Sequence, residues 1–145
     1  LRHPGREFTA GRVVYVYVKP HLWYLLPSGR ILCYPFAQID EDGISYAKAA
    51  WKPAADATEW PRARLWAGIA CENVTQAAAH DLLRRALRRL PDARAHIHDE
   101  IVLEVPEADA EASMERLRCV MCEPPPWAPD LPLKAEVKVM RRYGK

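Results

Sequence analysis

The feature that most constrains this chain is a hydrophobic period that changes along its length. Residues 12 to 18, Arg-Val-Val-Tyr-Val-Tyr-Val, are β-branched and aromatic. A second apolar run, Leu22 to Leu26, is separated from Ile31-Leu32-Cys33-Tyr34 by Pro27-Ser28-Gly29-Arg30. The pattern predicts a hairpin. Pro27 presets φ for the first corner of the turn and Gly29 can take the positive φ that a tight reversal uses. Asp40-Glu41-Asp42-Gly43 marks another turn before a short strand at Ile44 to Tyr46, and its acids lack the ligand spacing of a calcium loop. Residues 47 to 61, with Trp51, Pro53, Trp60 and Pro61, follow neither period and read as an irregular connector.

From Glu72 the period becomes helical. Val74, Ala78, Leu82, Leu83, Ala86, Leu87 and Leu90 recur at three- and four-residue steps and end at Pro91. Gln76, His80, Arg84 and Arg88 fill another stripe, which reads by default as a solvated face. Strand character returns at Ala93 to Ile97 and at Ile101 to Val105, where Ile101, Leu103 and Val105 alternate on one face. Pro106 suits the start of a second helix, because its missing amide proton would be unpaired there anyway, and Glu107, Asp109 and Glu111 suit its positive end. Ala110, Met114, Leu117, Val120 and Met121 form the apolar face of that helix. Cys119 and Cys122 fall inside the helical pattern and are read as core packing. Prolines at 124–126 and 129 break the helix, and Leu133, Ala135, Val137 and Val139 predict a last strand. The fold class is α+β: antiparallel strands covered on one side by two helices.

Composition limits the function. With 21 basic and 19 acidic residues among 145, the chain has no bulk polybasic character, so any nucleic-acid contact must come from local patches. No apolar run is long enough to cross a bilayer, the first residues lack a signal-peptide core, and the four cysteines show no secreted disulfide framework. The expected location is cytoplasmic, with no membrane partner.

Between the two late strands stands His98-Asp99-Glu100. Adjacent carboxylates on a rigid hairpin are hard oxygen ligands suited to Mg²⁺, which needs few protein ligands and leaves room for phosphate oxygens. Neighbouring acids in a turn are also commonplace, and His98 alone could be an acid, a base, a ligand or a hydrogen-bond donor.

The segment His98-Asp99-Glu100-Ile101-Val102-Leu103-Glu104-Val105-Pro106 resembles the third palm motif of family A DNA polymerases, where a His-Asp-Glu tip sits between two strands. Glu72-Asn73-Val74-Thr75-Gln76-Ala77 and Asp81-Leu82-Leu83 resemble the helix that precedes this motif in phage-type members. Leu26-Pro27-Ser28-Gly29-Arg30 resembles a hairpin of the family, and Trp127-Ala128, Leu131-Pro132-Leu133 and Arg142-Tyr143-Gly144-Lys145 resemble its C-terminal end. The chain departs from the family at Trp66 to Cys71, where Tyr-Gly-Gly-Lys-Leu-Val is common, and at His80, where phage members often have arginine.

The resemblance implies a C-terminal palm segment, with 1–71 as a β-rich part and 72–145 as helix, acidic hairpin, helix and strand. It also implies that Asp99 carries a catalytic Mg²⁺, Glu100 supports that metal site and His98 touches the primer terminus. Gln76 would contact the DNA near the nascent pair, and Arg30 would meet nucleic-acid backbone. Asp81 is expected to be structural. The implied partners are primer–template DNA, a deoxynucleoside triphosphate and the rest of the polymerase domain, in cis or in trans. The family's earlier metal-binding aspartate and its fingers helix would lie upstream of Leu1. The chain is therefore expected to be inactive and marginally stable alone, with an unpaired sheet edge. The alternative is a non-catalytic remnant that binds only DNA or a partner chain.

Overall fold

A computed structural model describes residues 1–49 and 60–144; most of the connector read at 47–61 lies outside the described residues. The chain divides into two compact units, Leu1–Ala78 and Ala79–Lys145, with the boundary inside the long helix α1 (Ala67–Arg89).

In the first unit an antiparallel meander joins β1 (Glu7–Ala10), β2 (Val13–Val18), β3 (His21–Leu25) and β4 (Ile31–Tyr34). The β3–β4 reversal is closed by Leu26 N–H to the Arg30 carbonyl and Gly29 N–H to the Leu26 carbonyl, both at 2.9 Å. Gly29 sits at φ +85°, the left-handed region that Pro-Ser-Gly anticipates. A second antiparallel sheet holds β5 (Gln38–Asp40), β6 (Gly43–Ala47) and β7 (Arg62–Leu65). β1, β5 and β7 were not legible in the sequence. They alternate too briefly, and β7 exists because Arg62 donates to the Ser45 hydroxyl and Arg64 pairs with Asp40 and Asp42 across the sheet.

The core of this unit is Val13, Tyr24, Leu26, Tyr34 and Tyr46, with Val74 and Ala77 of α1 packed on it. Its tyrosines form a column: Tyr15 to Tyr24 at 5.9 Å, Tyr24 to Tyr34 at 5.1 Å and Tyr34 to Tyr46 at 4.9 Å between ring centroids. Burial pushes the Tyr24 hydroxyl up to about 12, and burial also raises Tyr15 and Tyr34. A folded-state pKa above the unfolded value keeps its stabilisation below the unfolded pKa and loses it as pH rises toward the folded pKa. Unit one is therefore expected to lose stability between about pH 10 and 12, and Tyr24→Phe to flatten that loss. Alkaline denaturation followed by far-UV circular dichroism checks this, and equal alkaline slopes for wild type and variant would refute it.

In the second unit α1 is followed by β8 (Ala93–Ile97), β9 (Glu100–Leu103), a 3₁₀ turn at Glu107–Asp109 and α2 (Ala110–Cys122). Leu83 and Ala86 of α1, and Leu90 just past its end, pack with Ile101 of β9 and Leu117 of α2. Asp92, in the turn before β8, pairs with Arg116 of α2, and Glu123 receives Arg85 and Arg89 of α1. These guanidinium groups hold both carboxyls below their usual pKa.

The α+β class and the two helices stand as expected, with four corrections. Among the described residues the strands form three separate sheets of four, three and two strands. α1 starts at Ala67 rather than Glu72, because Ala67 to Cys71 carry no breaker that outweighs the helix behind them, Gly68 included. Residues 133–139 are not a strand. Leu133, Ala135 and Val137 are half-buried and alternate with exposed neighbours as a strand's would, but among the described residues no adjacent strand supplies the ladder that defines one. Cys122 is half-buried, whereas Cys119 is exposed beside Glu115 and not in the core.

Candidate active site

β8 and β9 pair with Ile97 opposite Glu100, so His98 and Asp99 alone make the reversal. Two-residue hairpins need positive φ at one corner or more, normally from Gly or Asn. Here His98 takes it, at φ +53°. A β-carbon in that region costs roughly 1–2 kcal/mol, and such strain gathers where function requires a particular side chain. His98→Gly is therefore expected to stabilise the fold by about 0.5–1 kcal/mol after the added unfolded-state entropy of glycine is subtracted. A higher thermal midpoint checks this, and a lower one would show that the His98 side chain makes up for its backbone.

His98, Asp99 and Glu100 are all exposed, with Ile101 just behind them anchored in the core at 8% exposure. Rigid β backbone thus carries two carboxylates and an imidazole to solvent side by side. Asp99 meets no ion pair among the described residues, whereas Glu100 Oε2 accepts a hydrogen bond from the Tyr143 hydroxyl at 3.0 Å. That carboxylate raises the Tyr143 pKa and so keeps the hydroxyl protonated as a donor. Tyr143 stood in the sequence within a basic closing segment, and nothing there signalled its contact with the tip.

Two adjacent carboxylates fit a hydrated Mg²⁺ in donor chemistry. Among the described residues no three His, Cys, Asp or Glu side chains gather to hold a metal ion. The tip thus presents two candidate oxygen ligands, Asp99 and Glu100. Beside it, β9 and residues 136–144 line a groove of about 1280 Å³, with Leu103, Val105, Met114, Val137 and Met140 on its walls and Arg94, Glu104 and Lys138 at its margin.

The other sequence-predicted residues lie elsewhere. Gln76 is exposed on α1 and donates to Glu72 Oε1, one turn earlier, at 3.0 Å. Arg30 is half-buried, and its Nη2 donates to the Ala77 carbonyl at 2.6 Å, tying the β3–β4 turn to α1. Asn73 adds a second tie, donating to the Tyr34 hydroxyl at 3.1 Å. Gln76 and Arg30 belong to unit one, and the His98-Asp99-Glu100 tip belongs to unit two. Asp81 is 8% exposed and faces Arg84 one turn on, as a structural carboxylate does. No helix among the described residues is long and apolar enough to cross a membrane.

Comparison with known proteins adds one relative. The chain is 35% identical over 141 residues to the DNA polymerase of Bacillus phage SP02, an alignment that takes in 92% of this chain. The same alignment spans 21% of that polymerase, so the chain corresponds to about a fifth of the relative's length. No protein-family model matches the chain, and no solved structure matches it.

Proposed function

We propose that this chain is the C-terminal palm portion of a phage-type family A DNA polymerase, acting in the host cytoplasm in DNA-directed DNA synthesis. The observation that carries the reading is 35% identity with a phage DNA polymerase in an alignment covering 92% of the chain, together with an acidic tip that the β8–β9 hairpin presents to solvent.

Asp99 is the residue for the catalytic metal and Glu100 its support. Bound there, Mg²⁺ would activate the primer 3′-hydroxyl and stabilise the departing pyrophosphate. What the chain itself does is hold two oxygen ligands on a short rigid hairpin, set His98 at the corner where the primer terminus would lie, and present Gln76 on an exposed helix face for the template–primer. Arg30 acts first as a tie from hairpin to helix, which leaves it a secondary candidate for backbone phosphate. The second carboxylate of the metal pair and the groups that grip the incoming deoxynucleoside triphosphate belong to the upstream part of the polymerase.

The fold supports the need for that upstream part. Unit two runs helix, strand, strand, helix and then an extended segment, which is a β-α-β-β-α-β arrangement without its first strand. Among the described residues β9 pairs with β8 alone, and the strand-like residues 136–139 line the groove beside it. An extended strand from the upstream polypeptide would fill it and bring its own carboxylate toward the tip. The test is to mix the chain with the remaining polypeptide of a phage SP02-type polymerase and follow extension of a labelled primer. Extension that requires both parts supports the reading, and stable association without extension refutes it.

A further inference from the structure

Tyr143 reaches Glu100 across 43 positions of sequence. Little else fixes the stretch that carries it. Among the described residues no backbone hydrogen bond involves residues 132–144, and Val137 is the residue of that stretch packed against the core of unit two. Residues 141–144 are exposed, Tyr143 itself by 49%. Its ring therefore adds little burial, and its hydroxyl makes the specific contact. From the other side, Glu100 begins β9 directly after the reversal, where a glutamate side chain has several staggered rotamers to choose among. A hydroxyl donating to an ionised carboxylate is among the stronger polar contacts and selects one of them.

We propose that Tyr143 is a positioning residue for the acidic tip: its hydroxyl latches the closing segment onto Glu100, fixing the carboxylate beside Asp99 and docking residues 140–144 along the groove. The latch rests on the reading of the tip as an active site for its purpose, though not for its existence. It couples two elements in both directions. The segment holds the side chain of Glu100, and Glu100 holds the segment.

Limited trypsin digestion of the full chain tests the latch, because Arg141 and Arg142 lie immediately before Tyr143. Intact-mass spectrometry reads cleavage at these sites without any polymerase activity. Tyr143→Phe keeps the ring and removes the donor, and should raise cleavage there roughly fivefold, the factor a typical net hydrogen bond supplies. Glu100→Ala should raise it by at least the same factor, and the double variant no further than Glu100→Ala alone, since both remove the Tyr143–Glu100 contact. Equal cleavage of wild type and Tyr143→Phe, or additive increases in the double variant, would overturn the latch. Unchanged thermal midpoints separate either result from misfolding.

The positioning role is read separately, in primer extension by the chain mixed with its upstream polypeptide. Tyr143→Phe should lower turnover roughly fivefold with KM for the nucleotide unchanged, and should cost nothing further in a Glu100→Ala background. An equal loss in both backgrounds would contradict positioning through Glu100. If the wild-type mixture extends no primer while the cleavage pattern holds, the latch stands and the polymerase reading falls.

Discussion

Asp99→Asn is expected to lower primer extension by about three orders of magnitude in a polymerase reconstituted from this chain and its upstream segment, with DNA binding retained. A metal ion that stabilises developing charge in phosphoryl transfer contributes several kcal/mol, and each 1.36 kcal/mol is tenfold in rate. Asparagine keeps the size of the side chain and removes the charge. Because Asp99 is exposed at a two-residue reversal and meets no ion pair among the described residues, its replacement should move the thermal midpoint little, within about ±0.5 kcal/mol of stability. The signature is thus lost turnover in an equally stable protein, measured by single-turnover extension. Equal rates in wild type and variant would make the chain a non-catalytic remnant.

Leu90→Ala should have the largest effect on stability. Leu90 is 1% exposed and packs with Leu83, Ala86, Ile101 and Leu117, so it joins α1, β9 and α2 in the core of unit two. Removing its isobutyl group costs transfer free energy and leaves a cavity, together about 2–5 kcal/mol. For a unit of this size that corresponds to a fall in thermal midpoint of roughly 10 °C or more, and it is a large share of what any small domain has. Hydrogen exchange should show β8, β9 and the tip losing protection. The tyrosine column of unit one is a separate core and should keep its protection, a contrast that loss of protection in β2–β4 would contradict.

Sequence periodicity exposed the parts of this fold whose side chains alternate strongly. Val13 to Val18 and the Pro27-Ser28-Gly29 turn were legible because β-branched residues and a glycine at positive φ leave a local mark. The helical run from Val74 to Leu90 was legible because one face is apolar throughout. β7 left no such mark, since two of its four residues are arginines whose partners, Ser45, Asp40 and Asp42, are distant in sequence. Residues 133–139 show the converse. Their alternation is strand-like, but a strand requires a neighbour, and alternation cannot report whether one is present.

The tip was legible as chemistry and not as geometry. Adjacent carboxylates between two strands were plain at 99 and 100, whereas the left-handed backbone of His98 and the contact from Tyr143 depend on the folded hairpin. Arg30 shows another limit: the resemblance implied a contact with nucleic-acid backbone, and nothing in the sequence signalled its bond to the Ala77 carbonyl, 47 positions away.

The most direct measurement exchanges this chain for the 141-residue stretch that it matches in the phage SP02 polymerase and assays Mg²⁺-dependent primer extension by the chimera. The expected result is extension by the chimera and its loss on Asp99→Asn. A folded chimera that binds primer–template but extends nothing, or one that extends equally well with Asp99→Asn, would contradict the claim that this hairpin carries half of a polymerase active site.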